Sequence, residues 1–374
     1  MKIAAAGYVS LDITPTFPDT GQKYPLSEVL IPGKLIEVGQ PTIAVGGSVS
    51  NTGLALHKFG AETLLLTKIG NDSFGGLVLE QYCKNSADIS NIVISDGSST
   101  SYTIALAVPG NDRVFLADPG ANNEFSTKDI NFDALRDLSI FHFGYPTLMK
   151  CFYKNDGDEL VSLFKKLKSM GIITSMDIAM VDPLSESGRQ NWPLIFEKVL
   201  PYVDIFTPSF EELLFLLDRN KYEEIKKRSG NDDICRYLSL ENDIIPLSDK
   251  ALSLGCKMIF LKCGAPGMYL KTRSKDNLKS LSSVFDSSWA DLSIFEKSYV
   301  PDRICSGTGA GDTSIAAFLY SISIGRSPEQ CLHNAAATGA MNLTAYDSLS
   351  GLLPIDELEK KIENGWEKLD LLRK

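Results

Sequence analysis

The chain has 374 residues, of which 44% are hydrophobic and 22% charged, and its formal net charge is −10. This is ordinary globular composition, and the negative charge argues against nucleic acid or an acidic membrane surface as a partner. The seven cysteines are scattered, odd in number and free of any CxxC pair, so we expect reduced thiols in a cytoplasmic protein rather than disulfides or a zinc site.

The first elements predict a strand, a broken segment and a helix. Residues 2–13 are apolar and β-prone around Gly7. The segment 14–45 contains four prolines and only short β-prone pieces, such as LIEV and PTIAV. Gly46 and Gly47 then lead into SVSNTGLALHKFG, a helix that its last glycine ends.

A hairpin follows at 101–118, where two β-rich runs flank the turn residues Pro-Gly-Asn-Asp. From there strand and helix patterns alternate as far as two late helices near 310–324 and 328–345. This alternation predicts an α/β fold with a mostly parallel sheet flanked by helices, and a small β-sheet lid outside it. We assign 1–13, 46–97 and 121–374 to the core, and 14–45 and 98–120 to the lid.

The most informative residues form the glycine-rich turn GTGAGDT at 307–313, between the β-prone YVPDRIC and an apolar helix. Backbone N–H groups at such a turn converge on one point, where the helix dipole favours an anion. Asp312 follows directly and can accept a proton from an attacking hydroxyl. The residues alone leave open whether Asp312 is a catalytic base or only a partner of the helix dipole. Neither GxGxxG nor GxxxxGK[ST] occurs.

With GGSVSN at 46–51, this turn resembles the ribokinase (PfkB) family of carbohydrate kinases. Further similar motifs stand in the family's order over almost the whole chain, at 7–12, 119–122 and 262–267. The resemblance implies a Rossmann-like core with a β lid, and in-line transfer of a phosphoryl group from ATP, with Mg²⁺, to a hydroxyl of a small sugar.

The resemblance also implies roles for individual residues. Sugar hydroxyls would be bound by Asp12, Gly46, Gly47, Asn51 and Asn122. ATP would lie against Lys262, Gly264, Gly267, Thr308 and Asn342. Asp312 would be the base, with Gly309, Ala310 and Gly311 as the anion hole. Glu212 would hold Mg²⁺ through water.

Some positions depart from the family pattern. Ser209 replaces the Asn of Asn-x-x-Glu, and only Asp177 remains of Asp-x-Asn-x-Arg. Ser306 stands where many members have an aspartate linked to a monovalent cation, so potassium dependence stays open.

A second group of positions bears on the acceptor. Ser48 stands where kinases of ribose and of phosphosugars usually have lysine. A phosphosugar needs basic anchors, so the sequence favours an unphosphorylated sugar or sugar acid. Lys34 and Arg113, in the lid, are the two cations that could oppose this interpretation.

Two alternatives and one assembly state complete the expectations. A nucleoside kinase needs an aromatic shelf, for which Phe17, Tyr24, Tyr102 and Phe115 are available. A non-catalytic sugar-binding protein has no need of the base that Asp312 supplies. The open edges of the lid sheet predict a homodimer formed through the lid.

Overall fold

The computed structural model describes residues 1–18, 24–111, 114–230, 232–278, 281 and 284–372. Arg113 lies outside the described residues. Within them, no helix is both long enough and apolar enough to cross a membrane.

Thirteen β-strands occur in this part of the chain. In chain order they are β1 (Lys2–Gly7), β2 (Ser10–Thr14), β3 (Thr42–Gly46), β4 (Glu62–Gly70), β5 (Ile92–Ser95), β6 (Tyr102–Leu106), β7 (Val114–Asp118), β8 (Ile140–Gly144), β9 (Ile173–Met176), β10 (Ile205–Phe206), β11 (Met258–Lys262), β12 (Gly267–Thr272) and β13 (Ser293–Lys297).

The described residues also form thirteen α-helices. These are α1 (Leu26–Val29), α2 (Gly47–Phe59), α3 (Ser73–Lys84), α4 (Lys150–Tyr153), α5 (Asp158–Ser169), α6 (Trp192–Val199), α7 (Phe210–Leu217), α8 (Arg219–Ser229), α9 (Ile245–Ser253), α10 (Lys275–Leu278), α11 (Ala310–Ser323), α12 (Pro328–Asn342) and α13 (Ile355–Glu363).

Nine strands form one large sheet in the order β13-β12-β11-β10-β9-β8-β1-β4-β5. Every neighbouring pair is parallel except those that include β12, which runs antiparallel to β11 and β13. Alternate residues of a strand enter opposite cores, as Ile140 and Phe141 do in β8. Helices α2, α11 and α12 cover one face and α5, α6 and α7 the other. The predicted α/β class with a mostly parallel sheet is confirmed.

The lid prediction corresponds to a separate four-stranded sheet in the order β3-β2-β6-β7. The predicted hairpin is its β6–β7 pair, which is antiparallel. One boundary needs correction, because residues 10–13, assigned to the core, belong to this small sheet. The cause lies at Gly7, where φ is 122° and a Cβ would stand 2.2 Å from the carbonyl oxygen of Gly144. The chain leaves the large sheet there.

Two local predictions are wrong and one helix was not predicted. The β-prone YVPDRIC before the glycine-rich turn is not a strand, because Pro301 interrupts it, and the strand lies earlier, at β13. The stretch LIEV in the lid is irregular. Helix α8, which was not predicted from the sequence, has Asp218 as its N-cap, with a side chain that accepts from the backbone of Lys221.

Candidate active site

The glycine-rich turn and Asp312 lie at the carboxyl edge of the large sheet. Helix α11 begins there, with Gly309 as its N-cap in the left-handed conformation (φ 77°). Tyr145 follows β8, Asp177 follows β9 and Lys262 ends β11. Ligands of open α/β sheets bind outside the carboxyl ends of the strands, so the fold brings these side chains to the usual location of a binding site.

Asp312 is buried, with 3% of its surface exposed, and two side chains donate hydrogen bonds to its carboxylate. Asn51 Nδ2 donates to Oδ2 at 2.9 Å, and the Tyr145 hydroxyl lies 2.8 Å from both Oδ1 and Oδ2. Burial raises the pKa of Asp312, while the charge of Lys262 and the bonds from Asn51 and Tyr145 oppose that rise. The result is a buried carboxylate with more basic character than an exposed one, which suits a general base.

The glycine-rich turn before Asp312 has no room for a side chain at Gly309. A Cβ at Gly309 would lie 2.7 Å from Ser348 Cβ and 3.3 Å from Asn51 Cγ. A Cβ at Gly311 would lie 3.5 Å from Lys262 Nζ. The glycines therefore expose the backbone at the N-terminus of α11, with an ammonium group beside it, and together these favour an anion.

Lys262 forms a buried ion pair with Asp177. Its Nζ lies 2.9 Å from both carboxylate oxygens, with side-chain exposures of 11% and 1%. Burial alone would lower the pKa of Lys262, but the carboxylates of Asp177, Glu212 and Asp312 together raise it. The lysine therefore stays charged next to Gly311.

Asp12 and Gly46, two residues expected to bind the acceptor, belong to the small sheet. A Cβ at Gly46 would lie 2.0 Å from Asp12 Oδ2, so this glycine leaves space for the Asp12 carboxylate. Burial raises the pKa of Asp12 to about 6, hydrogen bonds from Ser10 and Thr103 oppose the rise, and the charge of Asp312 adds to it. Asp12 and Asp312 therefore lie near enough to share one electrostatic environment.

The start of α2 packs tightly against the strands. Gly47 has φ 80°, and a Cβ there would lie 2.6 Å from the carbonyl oxygen of Tyr8. Ser48 is fully buried, and its side chain fills the position that a Cβ on Gly144 would take. Ser48 therefore faces the protein interior, and its identity says nothing about a phosphate on the acceptor, which corrects the argument from this position. Lys34 is exposed.

Ser209 and Glu212 form a capping box at the start of α7. Ser209 Oγ accepts from the backbone of Glu212 at 3.3 Å, and Glu212 Oε2 accepts from the backbone of Ser209 at 3.0 Å. In the described residues no group of three His, Cys, Asp or Glu side chains could hold a metal directly. A Mg²⁺ held through water and the phosphates of ATP is compatible with one such carboxylate.

Two predicted ligand contacts have structural partners instead. Asn122 is fully buried, and its amide accepts from the backbone N–H of Val9 at 3.1 Å and donates to its C=O at 2.8 Å. It therefore holds the turn between β1 and β2. A Cβ at Gly267 would lie 2.0 Å from the carbonyl oxygen of Glu296, so this glycine is needed for the pairing of β12 with β13.

The other predicted nucleotide positions border the same edge of the sheet. Gly264 has φ 62°, and a Cβ there would meet Cys235 at 3.2 Å. Thr308 is half-buried in the turn before α11. Asn342 is buried and donates to the carbonyl of Ser348, which belongs to the loop that contacts Gly309.

The aromatic residues proposed as a shelf for a nucleoside base lie in different environments within the lid. Phe17 and Tyr24 line an apolar cavity of about 150 Å³. Tyr102 packs edge-on against Phe74 at 5.6 Å between ring centroids, so it belongs to the lid–core contact. Phe115 is 54% exposed.

Sequence reasoning missed Tyr145. It sits in FHFGYPTLM, where a Gly-Tyr-Pro run after an apolar strand indicates only a turn. Its αL backbone (φ 64°, ψ 38°) and its bond to a residue 167 positions away are properties of the folded chain. The one available signal was a large aromatic residue at the carboxyl end of a central strand.

Comparisons with known proteins relate this chain to sugar kinases. The model of the pfkB family of carbohydrate kinases matches residues 21–355. An uncharacterized sugar kinase of Archaeoglobus fulgidus is 23% identical over 300 residues, which cover 80% of this chain and 98% of the relative.

Solved structures share the fold. Ribokinase from Arabidopsis thaliana, complexed with ribose and ATP, superposes with a TM-score of 0.69 at 18% identity, over 96% of this chain and 97% of that one. A putative ribokinase II from E. coli, in complex with ATP and Mg²⁺, gives a TM-score of 0.68 at 19% identity, over 97% and 99% of the two chains.

Proposed function

The chain belongs to the pfkB family of carbohydrate kinases, whose model covers most of its length. On that premise we propose that it transfers the terminal phosphoryl group of ATP to a hydroxyl of a small, unphosphorylated sugar or sugar acid, with Asp312 as general base. The observation that carries the proposal is the position of Asp312, buried in the first turn of α11 directly after a glycine-rich turn in which Gly309 leaves no room for a side chain.

The proposed reaction is an in-line displacement. The acceptor oxygen forms a bond to the terminal phosphorus, the bond from that phosphorus to the ADP oxygen breaks, and the hydroxyl proton passes to Asp312. The backbone N–H groups of Gly309, Ala310 and Gly311 and the ammonium of Lys262 stabilise the negative charge on the transferred group. Asn51 orients the base through its 2.9 Å bond to Oδ2.

Mg²⁺ suits the charge balance of this site. The carboxylates of Asp177, Glu212 and Asp312 lie around the ammonium group of Lys262, as their shared effect on its pKa indicates. A divalent ion bound with ATP would neutralise charge on the phosphates, and Glu212 would hold it through water. At the position that the family links to a monovalent cation, the Ser306 hydroxyl accepts from the backbone N–H of Thr308.

An unphosphorylated acceptor is supported by the charges of the acceptor side. Asp12 contributes a carboxylate whose pKa is raised by burial, and the carboxylate of Asp312 is close to it. A phosphate there would meet two negative charges. Lys34, which could have opposed this interpretation, is an exposed residue.

A nucleoside is the second candidate acceptor. The apolar lid cavity lined by Phe17 and Tyr24 favours it, since a flat base needs an aromatic or apolar surface. A screen of sugars, sugar acids, sugar phosphates and nucleosides for acceptor-dependent ADP release separates these classes. Fastest turnover of a sugar phosphate would refute the argument from charge.

Asp312→Asn tests the catalytic assignment. Loss of the base should lower kcat on the best acceptor by about 10²–10⁴, while calorimetry shows ADP binding and thermal unfolding close to those of the wild type. A decrease of less than about threefold would show that Asp312 is not the base.

A further inference from the structure

The Tyr145 hydroxyl covers both oxygens of the carboxylate proposed as the base. It lies 2.8 Å from Oδ1 and 2.8 Å from Oδ2 of Asp312, and Oδ2 also accepts from Asn51. A phenol has one proton, so it shares this proton between two acceptors in a three-centre bond. With 3% of Asp312 exposed, little of the carboxylate is left for another donor.

The backbone of Tyr145 is held in an unfavourable conformation that delivers this contact. A left-handed conformation is unfavourable for a non-glycine residue, and Tyr145 adopts it at φ 64° and ψ 38°. Its neighbours enforce it. Its N–H donates to the carbonyl of Asp177 at 3.3 Å, its carbonyl accepts from Leu148 at 2.9 Å, and Pro146 disfavours the right-handed helical alternative. Strain of this kind is characteristic of functional positions.

We propose that Tyr145 is a positioning residue that blocks Asp312 until an acceptor displaces its hydroxyl, and so prevents water from receiving the phosphoryl group of ATP. The inference rests on the proposed function, because it takes Asp312 as the base. An acceptor hydroxyl must donate its proton to the carboxylate that the phenol now covers.

The free energy needed to displace the phenol distinguishes a sugar acceptor from water. Displacing the phenol breaks a hydrogen bond to a charged group. A polyol compensates for that loss with further hydroxyls, for which Asp12 and Asn51 are available. A water molecule brings one contact and no others. Burial, followed by the charge of Asp312, raises the pKa of Tyr145 well above its ordinary value, so the phenol remains a donor throughout the working pH range.

The reaction that Tyr145 suppresses is hydrolysis. Without the phenol, a water molecule donates its proton to Asp312, its oxygen bonds to the terminal phosphorus, and the bond to ADP breaks to release phosphate. Tyr145→Phe keeps the ring and removes only the donor. We therefore expect ADP release with ATP and Mg²⁺ alone, without acceptor, to rise at least tenfold over the wild type.

Two further variants make the test specific. In Tyr145→Phe/Asp312→Asn the additional hydrolysis should disappear, because it needs the base. Tyr82→Phe is the matched control: it removes a buried phenol that bonds Ser50 at 2.9 Å on the same helix as Asn51, and its hydrolysis rate should equal that of the wild type. Thermal unfolding of each variant checks that the fold is kept.

Three results would overturn the inference: an increase of less than threefold in Tyr145→Phe with its fold intact, hydrolysis that persists in the double variant, or phosphorylation of Tyr145 itself, seen as one added phosphoryl group in the intact mass. Asp312→Asn assayed with an acceptor tests the proposed function separately. Loss of transfer in that variant with no increase in Tyr145→Phe would refute the blocking role alone.

Discussion

The buried carboxylate of Asp12 lowers the stability of the folded protein and is suited to bind a ligand. Burial raises its pKa from the ordinary 3.8 to about 6, and the nearby charge of Asp312 adds to the shift. Folding therefore makes the ionised form of Asp12 less favourable than it is in the unfolded chain, but at pH 7–8 the carboxylate is still mainly ionised, which is the form that binds a sugar hydroxyl best. A buried carboxylate of this kind is retained where a ligand uses it.

Asp12→Asn should separate these two effects. The stabilising contribution of a raised pKa is fully present below about pH 4 and is lost as the pH rises through about 6. At pH 7–8 the free energy of unfolding of the variant should therefore be about 1–3 kcal/mol higher than that of the wild type. Near pH 4 the two free energies of unfolding should be equal. At pH 8 the acceptor KM should rise about 10-fold or more, because a charged hydrogen bond is lost, while the KM for ATP changes little.

Asp137→Asn, a change at an exposed site before β8, serves as the control and should alter neither quantity. A wild-type acceptor KM that stays constant from pH 8 to pH 5 would contradict the role of the ionised carboxylate. So would an Asp12→Asn variant that raises both KM values equally.

At the scale of residues, the sequence predicted what local chemistry determines. Asp312, Gly309 and Gly311 were recognisable because a glycine turn, a helix start and an acid are adjacent in the chain. Tyr145 and the pairing of Lys262 with Asp177 were not, because they join residues 85 or more positions apart. The hydrophobic periodicity of a sequence carries no information on contacts between residues so far apart.

At the scale of elements, one side chain at the start of α7 has two roles. Glu212 closes the capping box with Ser209, and the same carboxylate is our candidate for holding Mg²⁺ through water. A capping box needs only an acceptor at that position, so glutamine can replace glutamate there. Metal binding needs the charge.

Glu212→Gln should therefore leave stability within about 0.5 kcal/mol of the wild type and raise the Mg²⁺ concentration for half-maximal activity by about tenfold. Ser209→Ala is the complementary variant, which should cost about 1 kcal/mol of stability through loss of the cap. An unchanged Mg²⁺ requirement in Glu212→Gln would leave Glu212 with the capping role alone.

The elements that the sequence predicted well are those with strong local signals. The long alternation of strands and helices gave the parallel sheet, and the Pro-Gly-Asn-Asp turn gave the β6–β7 hairpin. Strand β13 and helix α8 were missed: the partner of β13 is set by tertiary pairing with β12, and α8 has a weak apolar face. The boundary of the lid depended on how closely Gly7 approaches Gly144, which no local pattern reveals.

At the scale of the whole molecule, the small sheet presents an apolar row across all four strands. The register aligns Ile43 with Ile13, Ile13 with Ile104, and Ile104 with Leu116. Ile43 and Leu116, at the two edges, are 42% and 53% exposed. An apolar row that ends in two open edge strands promotes association unless it is covered.

We propose that a second copy of the chain covers this row, so that the protein is a homodimer through its lid. Light scattering at tens of micromolar should give about twice the chain mass of 40.9 kDa, and Leu116→Asp should reduce it to one chain mass, because a carboxylate buried in an apolar interface is strongly unfavourable. Leu184→Asp, at a loop residue that is 78% exposed, makes the same change outside the lid and should leave the dimer intact.

If the wild type has the mass of one chain, or if Leu116→Asp remains a dimer with its fold unchanged, the lid is not the interface. The prolines at 15, 18, 25 and 32 would then be the features that keep the lid edges from pairing.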